Sequence, residues 1–251
     1  MTSNPSLASQ KTLQIWFPAD RTKSAIATHS ALFWGLKQKL LPIFDNASHD
    51  AELLAKEEFD RIGRSGSSED PPDEADAWEW ASQRGQDRYD DLVFVREQLI
   101  LMGIAGIYHL WERTLKRAMV REFEYNRFSD VWRKRAHSAP FPLLKAWIET
   151  IDKSADGHIL DTLHTLSLVA NVAKHGDGNS CKALAGKVPD FFKTPGWLPP
   201  LGQIEPEAED LVIAPRHLDD FAAAVTDFWT KLPERCFVAV SPSGEPILPS
   251  K

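Results

Sequence analysis

The longest helical element in the sequence runs from Asp87 to Glu124, and its middle, LILMGIAGIYHLW, is apolar nearly all round. A helix on a protein surface carries a single apolar stripe. One that is apolar on every side must be enclosed by others, so this stretch predicts a bundle with the helix at its centre. Gly103 and Gly106 each cost about 1 kcal/mol relative to Ala inside a helix, and close approach of a neighbouring helix is the expected compensation. The run from Leu99 to Trp111 is too short to span a bilayer and has charge on both sides, so no membrane crossing is expected.

The rest of the chain agrees with a bundle. Residues 1–23 read as an extended N-terminal arm, followed by an amphipathic helix over 24–44 that ends near Pro42. Ser48 is placed to cap a more polar helix over 48–62, and GRSGSSEDPPDEADA (63–77) has the composition of a loop. Two further helices, 141–153 and 157–176, flank a short Gly-containing turn. Residues 176–208 are rich in Gly and Pro and should wrap the bundle, and EDLVIAP reads as a short strand or extended segment. A last helix starts at Pro215 and stops before Pro233, with 236–251 as a tail. With no alternating strand pattern of any length, the fold expected is an all-α helical bundle with a long central helix and irregular wrapping segments, one helical domain over 24–235.

Composition excludes several classes. Only two cysteines occur, Cys181 and Cys236, far apart and outside any pairing motif, which argues against a disulfide scaffold or zinc site and fits a reducing compartment. The N-terminus lacks the charged start, apolar run and cleavage pattern of a signal peptide, so a cytoplasmic location is expected. A net charge of −7 argues against general coating of nucleic acid, yet the charge is unevenly spread. From Arg113 to Arg135 there are eight Lys or Arg against three acids, interleaved with Phe123, Tyr125, Phe128 and Trp132. Lys116, Arg117, Arg121, Arg133, Lys134 and Arg135 are the candidates for contact with an RNA backbone; the alternative is a solvated helix face laced by ion pairs.

Two polar stripes interrupt apolar helices. On the 157–176 helix, His164, Asn171 and His175 fall together at the edge of a face built from Ile159, Leu163, Leu166, Val169, Ala170 and Ala173. His175 directly precedes Gly176, near the negative end of the helix dipole, which favours its imidazolium; the same arrangement is also an ordinary helix stop. On the central helix His109, Glu112, Arg113 and Lys116 share one side. Read locally they form an intrahelical ion pair. Read together with Asn171, Lys174 and His175 across the bundle, they form one polar cluster.

A di-iron centre needs Glu-x-x-His pairs that the chain lacks, no Gly-x-Ser-x-Gly elbow is present, and GDGNS follows a helix, the wrong order for a phosphate-cradling loop. Neither a metal nor a cofactor is expected.

The segments YHLWERTLKR and N-x-x-K-H-G resemble the HEPN superfamily of bacterial defence and toxin proteins, over about residues 90–232. The resemblance implies a small α-helical bundle, a homodimer, and metal-independent RNA cleavage with the RNA 2′-hydroxyl as nucleophile. Its motif is an Arg, a polar residue directly after it, and a His beyond. His175 matches the His and Asn171 the polar residue, while Ala170 stands where the Arg belongs. His175 could move a proton near neutral pH; Lys174, Arg113 or Lys116 would have to supply the positive charge against the phosphate. Three readings follow: an endoribonuclease toxin or anti-phage (abortive infection) effector, a catalytically inactive HEPN-like module binding RNA, nucleotide or a protein partner such as a neutralising antitoxin, and a helical protein–protein adaptor.

Overall fold

The computed structural model describes residues 12–65, 73–152, 155–193 and 207–241. Among them are eight α-helices and one small antiparallel sheet. The all-α architecture with its long central helix is as the sequence indicates. The helices are α1 (Ala19–Gly35), α2 (Ala47–Ser65), α3 (Glu74–Tyr125), α4 (Asp130–His137), α5 (Phe141–Ile151), α6 (Gly157–His175), α7 (Asn179–Lys187) and α8 (Pro215–Lys231). The sheet pairs β1 (Thr12–Trp16) with β2 (Arg235–Ala239), Gln14 opposite Phe237.

Several boundaries depart from the sequence reading. The arm of 1–23 is not extended throughout: β1 occupies 12–16 and α1 begins at Ala19, directly after Pro18, whose carbonyl accepts the Arg21 and Thr22 N–H groups. Its first eleven residues lie outside the described ones. α3 starts at Glu74, well before Asp87, because the Asp73 carboxylate accepts the Ala75 N–H at 2.8 Å and Glu74 and Asp76 sit in the first turn, where the helix dipole favours acids. Much of the loop expected over 63–77 is therefore helix, and 66–72 lie outside the described residues. Inside the 176–208 wrapping segment α7 forms, entered through Gly178 at φ +139°. The tail begins as β2, pinned by its pairing with β1.

The chain divides into two compact units, one of Met1–Phe33 with Ile104–Lys251, the other Trp34–Gly103. In the first unit Trp111 is fully buried, edge-to-face with Phe228 at 5.3 Å and tilted against Phe141 at 6.0 Å. α5 and α8, which carry those two phenylalanines, both pack against α6. α6 is enclosed almost all round: Leu163, Leu166, Val169 and Ala170 are fully buried, and Thr165 and Ser167 satisfy their hydroxyls on the Asp161 and His164 carbonyls. Ala173, expected on the apolar face, is exposed.

The second unit is a hairpin of α2 against the beginning of α3, preceded by a π turn (Leu36–Leu40) and a 3-10 turn (Leu41–Phe44). The expected close approach at Gly103 is present, since a Cβ there would collide with Leu36; at Gly106 a Cβ would meet only Leu32, at an ordinary 3.8 Å. One described helix, α3, contains an 18-residue window apolar and long enough to cross a membrane by length and composition, and 28% of that window is buried.

Candidate nucleic-acid interface

The stripe on α3 splits into two different environments. Glu112 is half-buried and engaged within its own helix. Its Oε1 accepts from Lys116 Nζ at 2.9 Å and from the Tyr108 hydroxyl at 3.2 Å, while His109 Nδ1 lies 3.6 Å from Oε2. Burial first, and then the Glu112 charge, hold the Tyr108 phenol protonated far above the ordinary tyrosine range, as a donor to that carboxylate requires. So His109, Glu112 and Lys116 are brought together, by helical spacing alone. Lys116, one of the expected RNA contacts, has its charge matched there.

Arg113 points elsewhere. With Arg117 and Arg121 it repeats every four residues, so the three guanidinium groups climb successive turns of α3 as one exposed ridge. None of the three makes an ion pair among the described residues. A fourth arginine joins them from the far end of the sequence. The Trp16 N–H donates to Glu122 Oε2 at 2.9 Å, and Leu32 lies opposite Gly106, so α1 runs antiparallel along α3 from one point to the other. Arg21, early on α1, therefore stands beside the Arg117–Arg121 turn. The electrostatics agree: partial desolvation first, then the like charge of Arg21, press the Arg121 guanidinium below the ordinary arginine range, Glu122 opposing and Arg117 adding to it. Crowded like charges of this kind gain from any anion set between them. Sequence reasoning missed Arg21 by assigning it to the arm; the start signal Pro18-Ala19-Asp20 was the clue to a helix there.

The second basic group, on α4, is partly spent. Arg133 pairs with Asp130 one turn away, and the Arg135 guanidinium lies 5.1 Å from the centre of the Trp132 ring. Lys134 is exposed with no ion pair among the described residues.

On α6 the expected stripe comes apart. His164 stacks flat on Phe141, centroids 5.2 Å apart and planes 4° apart, and burial, then the Lys187 charge, lower its pKa. Asn171 is half-buried, and Lys174 and His175 are exposed in the last turn, which closes at Gly176 with φ +70°. No hydrogen bond or ion pair among the described residues joins Asn171, Lys174 or His175 to the α3 stripe. Ala170, in the motif Arg position, is completely buried. Among the described residues no three His, Cys, Asp or Glu side chains are grouped to hold a metal ion.

No protein-family model, no curated protein and no solved structure matches the chain.

Proposed function

We infer that the chain is a HEPN-like helical module acting in the cytoplasm that binds RNA without cutting it, through the ridge of Arg113, Arg117 and Arg121 with Arg21 beside it. The observation that carries this reading is the pairing pattern: the arginines of the ridge face solvent with no ion pair among the described residues, whereas Glu112 holds Lys116 in an ion pair within its own helix. Phosphodiesters are the natural counter-ions for such a ridge, because guanidinium groups meet phosphate oxygens in bidentate geometry. Ala170 speaks against catalysis, since its buried Cβ leaves no charge to meet a pentavalent phosphate.

Anisotropy of a labelled single-stranded RNA over a salt series tests this. Arg117→Gln and Arg121→Gln should each weaken binding and reduce the salt slope by about one. The RNA should stay intact. Affinity indifferent to both substitutions would overturn the reading.

A second reading, an endoribonuclease toxin or anti-phage effector, is favoured by one observation: Lys174 and His175 stand exposed side by side at the end of α6, an imidazole and a cation open to solvent. In that reading a homodimer supplies the missing charge. Trp34, Ile43, Phe94 and Met102 of the second unit, each more than half exposed, offer apolar surface for a second copy or a neutralising protein. RNA cleavage lost in His175→Ala would establish it.

A further inference from the structure

The aromatic residues interleaved with the basic ones of α3 and α4 do not share one environment. Phe123 and Phe128 are buried against each other, ring centroids 4.9 Å apart, and Trp132 is half-buried between Trp147 and the Arg135 guanidinium. Tyr125 stands apart from them. It is 84% exposed, more than any other large apolar or aromatic side chain among the described residues, and its side chain makes no ring contact, hydrogen bond or ion pair among them. Tyr125 also belongs to the arginine row. It follows Arg121 by four residues, as Arg121 follows Arg117 and Arg117 follows Arg113, so the ridge climbs about 6 Å per step and ends on a phenol. The helix does not fray there. α3 closes in a Schellman turn: the Phe128 N–H donates to the Phe123 carbonyl at 2.8 Å and the Arg127 N–H to the Glu124 carbonyl at 3.0 Å, with Arg127 left-handed at φ +58°. The Asn126 side chain ties the same turn to β1 by donating to the Gln14 carbonyl at 3.3 Å. The backbone beneath the exposed ring is thus fixed, and little ordering entropy remains to be lost when something lies on that ring.

We propose that Tyr125 is a stacking platform for an unpaired base, and that it gives the ridge its selectivity for single-stranded over double-stranded RNA. This selectivity rests on RNA binding by the ridge and adds to it the form of RNA and the residue that tells the forms apart. A strand whose phosphates follow Arg113, Arg117 and Arg121 continues over Tyr125, where a base lies flat on the ring. In a duplex each base face is already occupied by its neighbours, and only backbone is left to meet the ridge. A phenol carries no charge to set against a phosphate, so the tyrosine acts on the base alone. The arginines therefore supply the salt-dependent part of the affinity, and Tyr125 a part that salt does not screen.

The test uses the full chain with two labelled probes, a mixed-sequence RNA strand about ten nucleotides long and the blunt duplex of the same sequence. Anisotropy over a salt series gives affinity and salt slope for each. Tyr125→Ala, at an exposed position, should weaken single-strand binding about tenfold with circular dichroism and salt slope unchanged, since no phosphate contact is lost. Duplex binding should stay as it was. Tyr125→Phe and Tyr125→Trp keep a ring and should bind the single strand as the wild type does. Arg117→Gln should behave differently, weakening both probes and reducing the salt slope. Tyr125→Ala without effect on the single strand, an equal loss on both probes, or a loss that Tyr125→Phe shares would overturn the proposal while leaving RNA binding by the ridge in place. Failure of both probes to bind the wild type would overturn both together.

Discussion

The backbone N–H of Trp16 donates to the buried carboxylate of Glu122 across 106 positions of sequence. This bond fixes where β1 ends relative to α3, and so where α1 and Arg21 begin. Removing the acceptor leaves a partly buried donor unmet. Glu122→Ala should cost about 1–3 kcal/mol in urea unfolding, and Glu122→Gln, which keeps an acceptor oxygen, less. If Arg21 is held beside Arg121 through this contact, Glu122→Ala should weaken RNA binding as well.

Ala170 offers a direct comparison of binding and cleavage. Placing Arg in a fully buried position surrounded by apolar α6 neighbours strands an uncompensated charge, and Ala170→Arg should lose roughly 3–5 kcal/mol in thermal or urea unfolding without gaining nuclease activity. A stable Ala170→Arg protein that degrades RNA would favour the endoribonuclease reading instead.

Acid should destabilise the first unit. His29 is buried, its Nδ1–H donating to the Ala25 carbonyl at 2.7 Å and its Nε2 without a partner among the described residues. Burial lowers its pKa, the hydrogen bond to Ala25 opposing, and burial likewise lowers His164 and His217. Imidazoles in the unfolded chain titrate near 6.5, so between the folded and unfolded values the unfolded state binds more protons. The stability contributed is complete above about pH 6.5 and drains away as pH falls through the folded-state values. Urea midpoints measured from pH 8 down to 5 should show this decline, and His29→Leu should flatten it.

Both thiols should be inert in the native protein. Cys236 is buried, its Sγ 3.5 Å from the Pro233 carbonyl, and burial followed by the Asp152 charge pushes its pKa up to about 11. Burial raises the buried Cys181 too. A chromogenic disulfide reagent at pH 8 should react only as fast as the chain opens, and completely in denaturant. Rapid native labelling in a Cys181→Ser variant would contradict the packing at Cys236.

What could be read in the sequence was what repeats locally. The apolar run of α3, the span of α6 and the proline-bounded α8 follow from periodicity and caps, and all three are present. The start of α3 is hidden because Asp73, Glu74 and Asp76 have the composition of a loop, yet act as a cap and first turn. The site was legible only within single helices. Spacing puts His109, Glu112, Arg113 and Lys116 on one side of the helix; in the structure Glu112 meets His109 and Lys116, while Arg113 lies in line with Arg117 and Arg121, a row that reading does not single out. It could not reveal that Glu112 turns back to Lys116, or that His164 lies flat on Phe141. Nor could it bring Arg21 alongside Arg121, which depends on a backbone bond from Trp16 to Glu122. Contacts between distant segments leave no periodic trace in a single sequence.

The pairing of β1 with β2 carries a consequence for synthesis. The hairpin unit is one continuous stretch, Trp34–Gly103, and has all its internal partners as soon as that stretch has left the ribosome. The other unit needs Thr12–Trp16 to wait for Arg235–Ala239, made about 220 residues later. Such non-local closure is slow. A chain interrupted before Arg235 would therefore carry a finished hairpin and an unfinished remainder, with the apolar strand residue Ile15 still without its cover.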